Sequence, residues 1–264
     1  MDPKAMEPQG LAMRAYFEGD LDAELIIRRD DGVEDPLPVC HFFRDRPEFT
    51  KVETTAIELC SGHVLDVGAG TGLHSLVLQQ MGVAVTAIDI DPQAAAIMAR
   101  RGVKEAHRAD VFSFRGGPFD TILVMGHGIG MVETVAGLDR FLAHAHTLVS
   151  ENGQVLLDSG DVRATDNASH LAYHEANRRA GRYFGEIRLQ LGFQGEYAPP
   201  CGWLHVDADT LAERAESTGW KREVILQEEN GHYLARLSSR KLPKNGAGRT
   251  AQMPRSKRRS SHVT

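Results

Sequence analysis

The sequence predicts an α/β protein built on a doubly wound, mostly parallel β-sheet. Segments with strand and helix patterns alternate through residues 61–160, which is the chain order of a parallel sheet with crossover helices. A glycine-rich turn joins the first of these strands to the first helix. Near the C-terminus, Asn230–Gly231 separates two apolar runs, and this dipeptide is the strongest short signal for an antiparallel hairpin.

The elements of the central region are predicted from apolar periodicity and from the residues that bound each segment. Pro92 favours a helix start, where its missing N–H costs little, and Gly102 is a typical stop for the same helix. The predicted strands cover residues 63–67, 83–88, 104–109, 119–125 and 154–158. The predicted helices between them cover residues 73–80, 94–101 and 135–149.

The flanking regions differ in character, and we interpret residues 1–60 as an N-terminal cap or lid. In this cap, 23–29 predicts a strand, an extended run reaches residue 43, and 48–59 predicts a helix. The main domain is predicted to end at residue 237. Its last part contains a predicted helix, a strand with strict alternation typical of a half-exposed antiparallel strand, a second helix and the hairpin, at residues 169–179, 186–194, 210–218 and 224–237.

The charge distribution divides the chain into an acidic body and a basic tail. The formal net charge is −6, and residues 238–264 hold eight basic and no acidic side chains, so residues 1–237 carry −14. We predict that the tail is disordered because it has few apolar residues. The acidic body would repel nucleic-acid phosphates, so nucleic acid is not expected as a partner unless the tail recruits it.

The three cysteines indicate neither a disulfide framework nor a cysteine zinc site. Cys40, Cys60 and Cys201 are far apart, odd in number and outside any Cys-x-x-Cys pattern. We therefore predict a reducing, cytoplasmic location. Neither a targeting segment nor a membrane segment is predicted.

The most informative segment is His63-Val-Leu-Asp66-Val-Gly68-Ala-Gly70-Thr-Gly72, which follows a strand and opens a helix. A dinucleotide fingerprint would place its third glycine at position 73, which is Leu73, and the Gly-Lys-Ser/Thr of a P-loop is absent. Asp66 beside the glycines would repel a phosphate but attract a cationic ligand. The pattern predicts a turn that brings backbone close to a positively charged molecule.

This segment resembles motif I of the class I S-adenosylmethionine-dependent methyltransferases. The resemblance implies a Rossmann-like, seven-stranded sheet with an antiparallel C-terminal hairpin strand, with residues 61–237 as the domain that binds S-adenosylmethionine. It implies that Asp66 helps to hold the methionine end of the cofactor. It also implies that the turn packs under the cofactor through Gly68, Ala69, Gly70 and Gly72.

Further positions match the family in order along the chain. Asp89 ends the second strand, where the resemblance implies that it accepts the ribose hydroxyls with Ile90 beside it; Asp91 is a weaker candidate. After the third strand, the resemblance assigns Asp110 to the adenine amino group and Val111 to the adenine ring. After the fourth strand, the family lines its methyl-transfer site, and here the chain reads Met125-Gly126-His127-Gly-Ile-Gly.

Two histidines near these motifs have alternative interpretations. His127 is the candidate catalytic residue, a general base that takes a proton from an acceptor hydroxyl or amine, or it hydrogen-bonds to nearby backbone and shapes the loop. His74 begins a helix two residues after the glycine turn. It either contacts the cofactor or orients the loop, or it has no direct role.

The region after the fifth strand contains candidate acceptor contacts, namely Tyr173, Arg178, Arg179, Arg182, Tyr183 and Trp203. Trp203 either stacks on an acceptor or caps the core. The arginines either bind an acceptor carboxylate or form a solvated helix end. His170 and His174 have metal-ligand spacing without the His-Glu-x-x-His pattern, and no metal is predicted.

The sequence therefore predicts an enzyme that transfers a methyl group from S-adenosylmethionine to an O or N nucleophile. A small-molecule acceptor is expected, because the acidic body would repel nucleic-acid phosphates. The loop at 126–130 also lacks the Asn/Asp-Pro-Pro-Tyr/Phe pattern of amino-group and base methyltransferases, which removes the usual reason to propose methylation of DNA or of a glutamine amide. The alternatives are a protein or RNA methyltransferase recruited by the basic tail and a non-catalytic S-adenosylmethionine-binding module. The sequence leaves the oligomeric state and the acceptor open.

Overall fold

The computed structural model describes residues 1–239, which form two β-sheets and the helices packed on them. The strands are β1 (Glu24–Arg29), β2 (Glu34–Pro38), β3 (His63–Val67), β4 (Ala84–Asp89), β5 (Ala106–Arg108), β6 (Phe119–Val124), β7 (Val149–Gly160), β8 (Glu186–Phe193), β9 (Glu196–Tyr197), β10 (Cys201–Leu204), β11 (Trp220–Gln227) and β12 (His232–Ser239). The helices are α1 (Glu7–Phe17), α2 (Lys51–Leu59), α3 (Leu73–Gln80), α4 (Pro92–Arg101), α5 (Val135–Ala145), α6 (Ala168–Arg179) and α7 (Ala208–Ser217). Short 3₁₀ turns cover Pro3–Met6, Val39–Phe43, Arg46–Glu48 and Gly128–Val132.

The larger sheet has seven strands in the order β11-β12-β7-β6-β3-β4-β5. The pairs between β7 and β5 are parallel, whereas β12 runs antiparallel to both β7 and β11. This confirms the doubly wound, mostly parallel sheet with an antiparallel C-terminal strand. Since the chain order reverses between β3 and β6, a crevice forms at the carboxyl ends of these strands.

The sheet separates two hydrophobic layers, because neighbouring residues of each strand point to opposite faces. One layer joins Leu65 and Ile122 to Phe141 of α5 and to Trp220, all buried. The other joins strand side chains such as Leu123 to buried residues of α2 and α3. Because both faces are covered, the β3, β4 and β6 strands consist mostly of buried apolar residues.

The second sheet has the strand order β10-β8-β1-β2, with β9 on β8, and its pairs are antiparallel. The strand predicted from strict alternation is confirmed as antiparallel, but its partner is the N-terminal β1, paired through Ile26 and Gly192. Helix α1 and the inner face of this sheet share a hydrophobic cluster with Ala94 and Ile97 of α4. The second sheet is thereby fixed above the carboxyl edge of the larger one.

The predicted helix at 135–149 is wrong in its C-terminal end. The helix ends at Ala145, and the buried residue Leu148 lies in the turn that follows the helix. His146 stacks on Trp220 at 4.1 Å between ring centroids, and its Nε2 lies 2.9 Å from the Thr218 carbonyl oxygen. These contacts turn the chain, so that β7 starts at Val149, well before the predicted start at residue 154.

The C-terminal boundary also differs slightly from prediction. The last strand reaches Ser239, so two residues of the predicted tail are paired with β7 or β11. The remainder of the predicted disordered tail, 240–264, lies outside the described residues. Within residues 1–239, no helix has the length and apolar character needed to cross a membrane.

Candidate active site

A cavity of about 760 Å³ lies between the carboxyl edge of the larger sheet and the second sheet. Its floor is formed by the turns after β3, β4 and β6, and its roof by side chains of β1, β2 and β8. All but one of the predicted site residues line it: Asp66, Gly68, Ala69, Gly70, His74, Asp89, Ile90, Asp110, Val111, Met125, Gly126 and His127. The structure thus brings together motifs that are spread over some 60 positions of the sequence.

The glycine turn has the backbone conformation that its sequence predicts. Gly68 has φ of +68° and Gly70 has φ of +57°, in the left-handed region that favours glycine. The N–H groups of Gly68 and Ala69 donate to the Ile88 carbonyl oxygen at 2.9 and 3.1 Å. A Cβ placed on Gly68 would meet no atom within 4 Å, because this position faces the open cavity. The turn therefore offers bare backbone to a ligand.

Gly72 is the predicted site residue that does not line the cavity. It has φ of +80° and begins α3. A Cβ there would lie 2.6 Å from Val103 Cγ2, so the glycine is required for close packing of the turn on the chain after α4. Its place in the motif is explained by this backbone conformation and packing.

Asp89 links the glycine turn to the cavity. Its Oδ2 accepts the Gly70 N–H and its Oδ1 accepts the Asp91 N–H, both at 2.9 Å. Burial raises the pKa of Asp89 to about 6, against the opposing effect of these two N–H groups. The carboxylate is held by backbone and has acceptor capacity left toward the cavity.

Asp66 is almost fully buried at 2% exposure and accepts the Ser75 Oγ–H at 2.6 Å. Burial raises the pKa of Asp66, which is the response of a carboxylate without a full charge partner. A cationic ligand would supply that partner. Two desolvated carboxylates at one end of the cavity therefore favour a positively charged molecule with hydroxyl groups.

His74 lines the cavity and also contacts two residues of the N-terminal cap. Its Nε2 lies 3.3 Å from Glu53 Oε1, and its ring packs on Phe49 at 5.3 Å between centroids. Glu53 in turn pairs with Arg44 at 2.7 Å, and Arg44 also lines the cavity. This chain of contacts connects the N-terminal cap to the helix that follows the glycine turn.

His127 lines the cavity in the turn that follows β6, next to Gly126. Its backbone has φ of +56°, which is uncommon for a residue other than glycine. Its N–H donates to both carboxylate oxygens of Asp158 at 3.1 Å. Burial lowers the pKa of His127, so the neutral imidazole is favoured near neutral pH, and its Nδ1 is buried with no hydrogen-bond partner among the described residues.

Asp158, His205 and His232 surround His127, and the sequence prediction did not select them. The His127 ring centroid lies 4.7 Å from that of His232 and 5.4 Å from that of His205. Asp158 lies two residues before the end of β7 and was the last residue of the strand predicted from the sequence, so its position near the sheet edge that carries Asp66 and Asp89 was a usable signal. His232 follows the hairpin turn, so only the antiparallel pairing of β12 with β7 brings it to this edge.

Two imidazoles and a carboxylate form a donor set that a divalent metal accepts. One donor atom from each of His127, Asp158 and His232 lies within 4.8 Å of the others. However, His232 Nε2 and Asp158 Oδ2 are 2.8 Å apart and satisfy each other by a hydrogen bond. The arrangement as it stands is a hydrogen-bonded cluster.

The other candidate acceptor residues are divided between the cavity, structural contacts within the protein and the exposed end of α6. Trp203, His170 and His174 line the cavity. Tyr183 donates to Asp207 at 2.5 Å and Arg182 donates to Asn177, so both are engaged in structural contacts. The remaining three are also occupied: Tyr173 bonds to the Arg188 N–H, while Arg178 and Arg179 pair with Glu175.

The fold and the cavity define a class of protein, the class I S-adenosylmethionine-dependent methyltransferases. The methyltransferase domain model matches residues 43–223, which is more than half of the chain. The chain therefore belongs to the methyltransferase domain family, and its cofactor is S-adenosylmethionine. This confirms the resemblance found in the sequence.

The relatives agree with this assignment. The chain is similar to a solved S-adenosylmethionine-dependent methyltransferase from Bacteroides fragilis, in complex with S-adenosyl-L-homocysteine, with 31% identity, a TM-score of 0.78, and coverage of 89% of this chain and 96% of that one. The CcbJ methyltransferase of Streptomyces caelestis shares the fold alone, at 10% identity and a TM-score of 0.55, over 75% of this chain and 98% of that one.

A curated relative matches over a shorter range. The ubiquinone biosynthesis O-methyltransferase of Xanthomonas euvesicatoria pv. vesicatoria (strain 85-10) is 28% identical over 137 residues, which is 49% of this chain. The match spans 54% of that protein, so about half of its length has a counterpart here.

Proposed function

We propose that this enzyme transfers the methyl group of S-adenosylmethionine to an oxygen or nitrogen nucleophile of a small molecule bound beneath the second sheet. The observation that carries the proposal is the continuity of one cavity, from the glycine turn to the inner face of the second sheet. A roofed cavity of about 760 Å³ is of the size that small-molecule sites have in proteins.

The cofactor is proposed to lie over the glycine turn. Gly68 and Gly126 both face open space, so a ligand can approach their backbone closely. Asp89 would accept the ribose hydroxyls, and Asp66 would balance the charged methionine end. Asp110 and Val111 would contact the adenine, with Ile90 beside it. The residues present therefore fit the cofactor in shape and charge.

The acceptor is proposed to occupy the rest of the cavity. Its roof is mostly apolar, with the charged Arg29 and Asp35 beside six aliphatic side chains: Leu25, Ile27, Leu37, Ile187, Leu189 and Leu191. Its far end carries the neutral imidazoles of His127 and His174, whose pKa values are lowered, chiefly by burial. A molecule with an apolar body and a hydroxyl or amino group matches this lining. The name of the Xanthomonas relative, an O-methyltransferase of a small molecule, supports the same acceptor class.

The proposed mechanism depends on the alignment of the acceptor nucleophile with the methyl group and the sulfur of the cofactor. S-adenosylmethionine supplies a methyl group on a positively charged sulfur, which is already activated for displacement. The floor and roof of the cavity orient the acceptor and exclude water. We propose that His127 accepts the proton of the acceptor at an imidazole nitrogen as the new bond forms. The neutral imidazole favoured by burial is the form that this step requires.

The cap formed by residues 1–60 is proposed to close the cavity over both ligands. Met6 and Met13 from its helical segment and Phe42 and Arg44 from its second half line the cavity. Bound S-adenosylhomocysteine should therefore protect this segment from limited proteolysis. Equal cleavage rates with and without the ligand would count against a closing role.

The direct test is calorimetric titration with S-adenosylmethionine and S-adenosylhomocysteine, followed by a labelled-methyl screen across metabolites and cell extract. We expect one binding site per chain and label in a small organic product. Label found only in protein or RNA would favour recruitment by the basic tail, and deleting residues 240–264 would then abolish the transfer. Cofactor binding without label transfer to any fraction would favour a non-catalytic module.

A cytoplasmic location is proposed because the cysteines are unpaired, as the sequence analysis expected. Cys40, Cys60 and Cys201 are all free thiols in the structure. Burial raises the pKa of Cys60 to about 12 and that of Cys201 to about 11, so these two are unreactive. A protein that keeps three thiols unpaired suits a reducing compartment.

A further inference from the structure

The backbone N–H of His127 donates to one carboxylate, that of Asp158, while its carbonyl oxygen accepts the Gly130 N–H at 2.9 Å. His127 has a left-handed backbone conformation, which persists in a residue other than glycine only where the surroundings enforce it. The enforcing group is Asp158, which is 2% exposed and accepts the His127 N–H with both oxygens. The position of the imidazole in the cavity therefore depends on this carboxylate.

Asp158 is itself paired with His232 from the neighbouring strand. His232 Nε2 donates to Asp158 Oδ2 at 2.8 Å, and His232 Nδ1 lies 3.6 Å from Glu228 Oε2. The His232 side chain is 16% exposed. This contact joins the ends of β7 and β12, two strands that reach the site from opposite directions. The mechanism proposed above does not use either residue.

We propose that Asp158 and His232 are positioning residues for the methyl-transfer reaction, a hydrogen-bonded pair that fixes the His127 peptide, directs its imidazole into the cavity and acts on that imidazole with opposing charges. The inference rests on the proposed role of His127 as base. Asp158 and His232 thereby have a role in the reaction beyond stabilising the fold.

The charged and titratable groups that face His127 come from four elements. Asp158 favours the protonated imidazole of His127, whereas His232 opposes it when protonated; the hydrogen bond to Asp158 raises the pKa of His232. His205 also faces His127, and burial lowers its pKa to about 3, so it stays neutral. His41 from the cap interacts electrostatically with His127, and the pKa of His41 is lowered by burial and by the charge of Arg44. Burial is the main cause of the lowered pKa of His127; Asp158 opposes this lowering, and a protonated His232 adds to it.

The two members of the pair can be removed separately with opposite expected effects. Asp158→Asn keeps a side-chain oxygen that accepts the His127 N–H but removes the negative charge. His232→Gln keeps an N–H donor for Asp158 but removes the positive charge. The pKa of His127 should fall in Asp158→Asn and rise by about 1 unit in His232→Gln, since an opposing charge at this distance shifts a pKa by that order.

The measurement is an NMR titration of the imidazole nitrogens in the full chain without added ligand. The His127 signals are assigned by their absence from the His127→Asn spectrum. His107→Gln, which changes an exposed histidine on β5, is the matched control and should leave the pKa of His127 unchanged. Because the titration needs neither cofactor nor acceptor, it fails or succeeds independently of the proposed function.

The proposal is supported if the two variants displace the pKa of His127 in opposite directions while S-adenosylhomocysteine affinity stays within about twofold of wild type. It is overturned if both displacements have the same sign or lie below about 0.3 unit. It is also overturned if the purified protein holds a stoichiometric transition metal that His232→Gln loses, because the cluster is then a metal centre. If Asp158→Asn does not fold, the sign and size of the His232→Gln displacement decide the question alone.

Discussion

Replacing Asp89 by alanine tests the cofactor end of the cavity. The Asp89 carboxylate accepts one hydrogen bond from the Gly70 N–H and one from the Asp91 N–H. Its remaining lone pairs can accept hydrogen bonds from the ribose hydroxyls. A hydrogen bond to a charged group contributes about 1.5–3 kcal/mol, so its loss should raise the Kd for S-adenosylhomocysteine roughly 10- to 150-fold. The released Gly70 N–H adds to the loss because the glycine turn is no longer anchored.

Asp120→Ala is the matched control for this substitution. Asp120 likewise accepts a backbone N–H, that of His63 at 2.9 Å, and it accepts the Ser150 hydroxyl, but it lies at the opposite edge of the sheet. Isothermal titration calorimetry on both variants, each shown to be folded by circular dichroism, separates the loss of a cofactor contact from the loss of a backbone anchor. An affinity in Asp89→Ala within about twofold of wild type would refute the assigned role of Asp89.

Three further predictions follow from single features. Burial raises the pKa of Asp89 to about 6, so the carboxylate that accepts hydrogen bonds is lost as the pH falls below that value. The Kd for S-adenosylhomocysteine, measured by calorimetry, should therefore rise about tenfold from pH 7 to pH 5. Asp89→Ala should remove this pH dependence. Trp203→Ala should raise the KM for the acceptor about tenfold or more in steady-state assays and leave cofactor affinity unchanged; the reverse pattern would place the indole at the cofactor end. Trp220 is fully buried and donates to the Leu142 carbonyl oxygen, so Trp220→Ala should lower the free energy of unfolding in urea by about 3–5 kcal/mol, and a loss under about 1 kcal/mol would contradict the packing described.

The larger sheet and the cofactor motifs were predictable because their signals are local. Asp66 and Asp89 lie at the ends of the apolar strands β3 and β4, and Asp110 follows the short strand β5 by two positions. The glycine turn is specified by its own spacing, which fixes backbone conformation without reference to the rest of the fold. Parallel strands then bring their carboxyl ends to one edge by topology alone.

The roof of the cavity and the partners of His127 were not predictable in the same way. Periodicity shows that 186–193 is an antiparallel strand, but it does not show that Ile27 of the cap is paired with Leu191 of this strand. His232 and Asp158 are 74 positions apart and meet through the register of two strands. Such non-local pairings depend on the packing of the whole chain, and one sequence carries no direct signal for them.

A crystal structure of the complex with S-adenosylhomocysteine tests the central division of the cavity most directly. The ribose hydroxyls should lie within hydrogen-bond distance of Asp89, the sulfur should face His127, and the space beneath β8 should remain free for an acceptor. Density for the adenosyl group beneath β8, or a sulfur directed away from His127, would contradict the account.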